Sequence, residues 1–135
     1  MTETKETMTA ILLHEDAEYY ECFNIITGLP DDMDTIKQIA EHLRHVHISE
    51  SYYTVKIVKI NKADVIDKRP DACCETIWQP EEQHVNPYRE IGKNFIHMKS
   101  VRYWSIKSYA DWYFLSLDPV INARNAIKEL IKQAS

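Results

Sequence analysis

The chain is predicted to fold as α+β, with an antiparallel or mixed sheet of about five strands and two main helices packed on one face. Three observations carry this. Short runs rich in β-branched and aromatic residues recur along the sequence. Two other segments repeat their apolar residues at helical spacing. The elements come in the order ββαβ…ββα, which suits a sheet with its helices gathered on one side. With 135 residues, 44% hydrophobic and 27% charged, the chain is long enough for one self-sufficient core. It is read as a single domain, residues 1–135.

Residues 1–7 are polar and read as a flexible lead-in. Met8–His14 is a short apolar run, expected as a strand, and Glu15–Glu18 an acidic turn. Tyr19–Thr27 (YYECFNIIT) favours a second strand that pairs back as a hairpin. Gly28-Leu29-Pro30 breaks the pattern. Met33, Ile36, Ile39, Ala40, Leu43 and Val46 then form one helical stripe. Asp31, Asp32 and Asp34 sit at its positive end and Arg44 and His45 at its negative end, as the helix dipole prefers. Tyr52–Ile60 reads as a strand whose alternation slips at Ile57-Val58, which predicts a bulge or burial on both faces.

Residues 61–94 hold Pro70, Pro80, Pro87 and Gly92 and read as a long irregular connection with one short helix around Ala63–Lys68. Phe95–Ile106 and Trp112–Leu117 read as strands of a hairpin turning near Ser108–Asp111. Asp118 suits an N-cap and Pro119 the first helical position. Val120, Ala123, Ala126, Ile127, Leu130, Ile131 and Ala134 form the buried stripe of that last helix.

Glycine is scarce, with only Gly28 and Gly92 in the chain. A phosphate-cradling loop, a dinucleotide turn and a G-x-S-x-G elbow all need glycine where backbone must turn at positive φ or approach a ligand closely, so none is present. No cofactor is expected. No apolar run reaches the ~20 residues that cross a bilayer, and the start MTETKETMTA lacks the basic and apolar parts of a secretory signal. Cys22, Cys73 and Cys74 are odd in number and two are adjacent, which suits a reducing, cytoplasmic setting better than a disulfide framework.

Charge is unevenly placed. Residues 1–50 hold 11 acids against three bases, a net of −8, whereas residues 51–135 hold 10 acids against 13 bases, a net of +3. Such a chain presents an acidic region and a mildly basic one, which steers partners.

The leading functional expectation is a non-enzymatic interaction protein with a protein partner: an inhibitor, adaptor or immunity-type accessory factor of the general profile that phages and mobile elements encode. Six aromatics crowd into residues 103–114. Outward-facing Trp and Tyr are frequent interface anchors. Trp104, Tyr109, Trp112 and Tyr113 are the expected contacts, with Asp31, Asp32 and Asp34 as an acidic rim for a basic partner.

A second expectation is nucleic-acid binding through residues 89–109, where Lys99, Arg102 and Lys107 interleave with Tyr103 and Trp104, since bases stack on aromatics beside a positive groove. Within IKQIAEHLRHVHISES, Ile39-Ala40-x-x-Leu43 followed by Ile48–Ser51 resembles the opening of a helix-turn-helix, which would imply DNA binding. However, no glycine lies between Leu43 and Ile48, and the following YYTVKIVKI is β-prone where that motif needs its recognition helix.

A third expectation is a metal-dependent hydrolase or nuclease. His42, His45 and His47 could converge on a metal from one helix end, because side chains three apart share a helix face. Cys73, Cys74 and His84 offer another set, though adjacent cysteines splay where zinc wants C-x-x-C. Asp64, Asp67 and Asp71 could serve Mg²⁺. Pro30-Asp31 and Pro70-Asp71 each resemble the start of a PD-(D/E)-x-K nuclease motif, but neither is followed by acid-x-Lys. Oligomeric state leaves no mark on the sequence.

Overall fold

The computed structural model describes residues 7–16, 20–46, 52–61, 74–81, 83, 98–112 and 118–134, with side chains omitted at 16, 20, 45, 46, 52, 98, 99, 112, 118–123 and 134. The expected short helix at Ala63–Lys68, the strand at 113–117, His47, Cys73, His84 and Tyr113 lie outside the described residues.

Five strands form one mixed sheet. In chain order they are β1 (Thr7–Asp16), β2 (Tyr20–Thr27), β3 (Tyr52–Asn61), β4 (Cys74–Trp78) and β5 (Met98–Ser105). Their spatial order is β4-β3-β1-β2-β5. The expected hairpin of β1 and β2 is present, with Ile11 opposite Ile26 and Leu13 opposite Asn24. Its strands run further than the apolar run suggested: Thr7 belongs to β1 rather than to the lead-in, and Glu15 and Asp16 extend the strand where a turn was expected. Cross-strand pairing on both sides of β1 outweighs the polarity of those residues.

Helix α1 (Met33–Val46) crosses from β2 to β3. Since β3 also pairs antiparallel with β1, β2 and β3 run the same way on either side of it. A connection between strands of equal direction must return along the sheet, and α1 makes that return. Its stripe of Ile36, Ile39, Ala40 and Leu43 is buried on one sheet face with Ile11, Leu13, Ile26, Val55 and Ile57. Two further helices, α2 (Ile106–Trp112) and α3 (Asp118–Ala134), add Ile106, Tyr109, Ala110 and Ile127 to that same core.

The slip at Ile57-Val58 is explained. Both residues are fully buried, Ile57 on the helix face and Val58 on the other. Pairing with β4 jumps there from Trp78 to Thr76, so Ile77 is the extra residue of a bulge. On that second face Ala10, Leu12, Phe23, Ile25, Val58 and Ile60 make a separate buried cluster.

Two expectations are corrected. The segment 61–94 is not irregular throughout, because β4 pairs with β3 inside it. The hairpin turning at Ser108–Asp111 does not exist: those residues are helical in α2, which runs through Trp112, and β5 instead pairs parallel with β2. Ser105 starts this helix, its Oγ accepting the Ser108 N–H at 3.0 Å and donating to the Ser108 Oγ at 2.9 Å. Ile106, Tyr109 and Ala110 then fall at i, i+3 and i+4, and their burial overrides the β-propensity of the aromatics.

Candidate functional site

The parallel pair β2 and β5 delivers two helices at one end of the sheet. β2 leads through Gly28–Asp32 into α1, and β5 leads directly into α2. Gly28 joins the two turns. Its φ of +70° is one that L side chains rarely adopt, and a Cβ placed there would sit 3.7 Å from the Ser105 Cβ and 3.9 Å from the Ile106 nitrogen. Thr27 reinforces the junction by donating from Oγ1 to the Trp104 carbonyl at 3.2 Å.

The loop thus carries the aspartates from the end of β2 to the start of α1. Asp31, Asp32 and Asp34 are all exposed. Asp32 caps α1: its carbonyl accepts the Ile36 N–H at 3.1 Å, and Oδ2 accepts the Thr35 N–H at 3.2 Å and the Thr35 hydroxyl at 2.6 Å. These bonds to Thr35, the hydroxyl bond above all, hold the Asp32 carboxyl below its ordinary range. The positive end of α1 is therefore occupied by its own chain, and the exposed end presents negative charge.

The aromatics divide between core and surface. Tyr109 is fully buried and is corrected from a surface anchor to a core residue, wedged where α2 meets the sheet. Trp104 is half-buried, meets Tyr109 edge-on at 5.7 Å between ring centroids, and donates its indole N–H to the Asn24 Oδ1 at 2.9 Å. Tyr103 points to the opposite sheet face and is 39% exposed. Trp112 closes α2, and its side chain is outside the description.

The basic and metal sets are not assembled among the described residues. Arg102 and Tyr103 are both exposed, but as consecutive strand residues they point to opposite faces. Lys107 is exposed on α2, and Lys99 sits at the far end of β5 from it. His42 is half-buried on α1, His45 lies on the last turn of that helix, and no three His, Cys, Asp or Glu side chains among the described residues could hold a metal ion. Cys22 is a buried thiol on β2, and Cys74 a half-buried one packed against the second cluster.

Three features were invisible in the sequence. His14 and Glu21 sit on paired strands of the second face, the imidazole Nε2 3.0 Å from Glu21 Oε2, with only 3% of the Glu21 side chain exposed. The His14 ring stacks on Phe23 at 4.3 Å. Only the hairpin register brings these residues together. Gln83 clamps the flank of β3, Oε1 accepting the Val55 N–H at 3.1 Å and Nε2 donating to the Val55 carbonyl at 2.7 Å. Finally, two clefts open beside the helices. One of about 340 Å³ lies between α1 and the end of β4, lined by Glu41, Arg44, Trp78 and Pro80 among others. The other, about 380 Å³, is lined by Lys107 and Asp111 of α2 and Lys128, Ile131 and Lys132 of α3.

The chain matches no known family model, no curated protein and no solved structure at a significant level. No helix among the described residues is long and apolar enough to cross a membrane.

Proposed function

We propose that this protein is a non-enzymatic interaction factor that holds a basic protein partner at the acidic end of its sheet. The observation that carries the reading is the exposure of Asp31, Asp32 and Asp34 together at the start of α1, just past the left-handed turn at Gly28. A negative rim against a rigid junction favours a positively charged partner and speeds its approach. Asp31 and Asp34 are the charges open to a partner, because Asp32 caps the helix. Half-buried Trp104 and buried Tyr109 hold the junction from beneath. Ser105 and Tyr103 belong to the exposed part of the edge strand.

The test is affinity purification of the tagged chain from its native host, run beside the double variant Asp31→Asn/Asp34→Asn. A protein of basic character should co-purify with the unaltered chain, release as salt rises, and be lost with the variant. Equal recovery by both chains overturns the acidic rim. Recovery of nucleic acid in place of protein moves the function to the second expectation.

A further inference from the structure

The end of the hairpin where β1 passes into β2 gathers negative charge. Between His14 and Phe23 the chain holds four acids, Glu15, Asp16, Glu18 and Glu21, and no base. Asp16 stands directly opposite Glu21 in the ladder, so two acidic residues share one face of the pair. Glu21 is the most demanding of them, because only 3% of its side chain is exposed. A carboxylate that far out of water is costly unless an opposite charge or strong donors meet it.

His14 meets it. The imidazole Nε2 lies 3.0 Å from Glu21 Oε2, and 15% of the His14 side chain is exposed. The ring lies flat on Phe23, with 3° between the planes and 4.3 Å between centroids. That stack fixes the direction in which Nε2 points, and the face of an aromatic ring suits a cation. Proton exchange with water remains open through the exposed part of the ring.

The neighbouring strands supply the other charged groups of this face among the described residues. On β3, uncharged Thr54 stands opposite His14, Tyr52 opposite Asp16, and half-buried Lys56 opposite Leu12, two positions from His14. On β5, Lys99 stands opposite Glu21. Glu15, 7% exposed, follows His14 but turns to the helix face. Lys56 works against a proton on His14, whereas Asp16 and Glu21 work for it. Direct contact with a nearly buried carboxylate outweighs a half-buried lysine two positions along the strand.

We propose that His14 and Glu21 form a pH-sensitive latch: the protonated imidazole ties β1 to β2 across the second sheet face, and loss of that proton slackens this end of the hairpin. His14 then binds its proton more tightly in the folded chain than in the unfolded one. Stability from the latch is complete on the acid side of ordinary histidine titration and is lost as pH rises through the folded-state midpoint. Within the carboxylate range Glu21 takes up a proton in its turn, so the latch holds between those two limits. It does not depend on the acidic rim at the start of α1.

The experiment follows the assigned His14 imidazole by NMR through a pH titration of the full chain, beside Glu21→Gln and His14→Gln. Folded His14 should hold its proton at least about tenfold more tightly than the same residue in the chemically unfolded chain, and Glu21→Gln should remove that excess. Amides of residues 14–16 and 21–23, corrected for intrinsic exchange, should open at least about tenfold more often at about pH 9 than at about pH 6. In His14→Gln that difference should vanish. Three outcomes overturn the latch: His14 titrating with the unfolded chain or more acidic than it, an unchanged titration in Glu21→Gln, or hairpin exchange as pH-dependent in His14→Gln as in the unaltered chain. If Glu21→Gln does not fold, the titration of the unaltered chain decides on its own.

Discussion

Trp104 faces two demands, since its ring packs on the main core while its position on an edge strand leaves part of it in solvent. The indole N–H settles the geometry by donating to Asn24, whose side chain is 1% exposed. Trp104→Phe keeps the aromatic packing but strands that carbonyl oxygen in the interior. It should lower unfolding free energy by about 1–3 kcal/mol, read from chemical denaturation with an unchanged m-value. The aromatic crowding at 103–114 was legible, but the division between core and surface was not. It depends on the switch from strand to helix at Ser105–Ile106, which rotates Tyr109 inward. His14 and Glu21 show the same limit: seven positions apart, they meet only through the pairing of β1 with β2.

Among the elements, α1 was the most legible because its burial follows a single helical stripe that neighbouring charges frame at both ends. By contrast, α2 is seven residues long and dense in residues of high β-propensity, so local preference pointed away from the outcome. The signal present was Ser105 three positions before Ser108, a helix-start pattern, with Ile106, Tyr109 and Ala110 at helical spacing. Strand β4 is five residues long and ends shortly before Pro80, which masked it as connection. The turn into α1 depends on Gly28 for conformation rather than space, since a Cβ there would meet nothing closer than 3.7 Å. Gly28→Ala should therefore destabilise by about 1–2 kcal/mol, the cost of a left-handed residue, and Gly28→Asn by less. Thermal unfolding of the two variants side by side checks the order.

At the scale of the whole molecule, the sheet joins a local antiparallel middle to a remote parallel edge. The β1–β2 and β1–β3 ladders place β1 at the centre, whereas β2 and β5 pair across more than 70 positions of sequence. Central amides should open only with global unfolding, and edge amides by local fraying. Hydrogen exchange should thus be slowest in Ile11–Leu13 and at least about tenfold faster in β4 and β5. Uniform protection across all five strands would contradict that hierarchy. The two edges are also finished differently. β4 carries the Ile77 bulge, a device that twists an edge away from further pairing. Beyond the end of β4, the side chain of Gln83 fills both bonding positions of Val55. That amide imitates one further residue of β4, so the ladder on this flank of β3 is continued by a side chain instead of a backbone. Hydrolysis of the amide to a carboxylate, a slow ageing reaction of glutamine, would replace the donor to the Val55 carbonyl with a second acceptor and uncover the flank for another chain. The solubility of an old sample of this protein would then be written in the chemistry of a single glutamine.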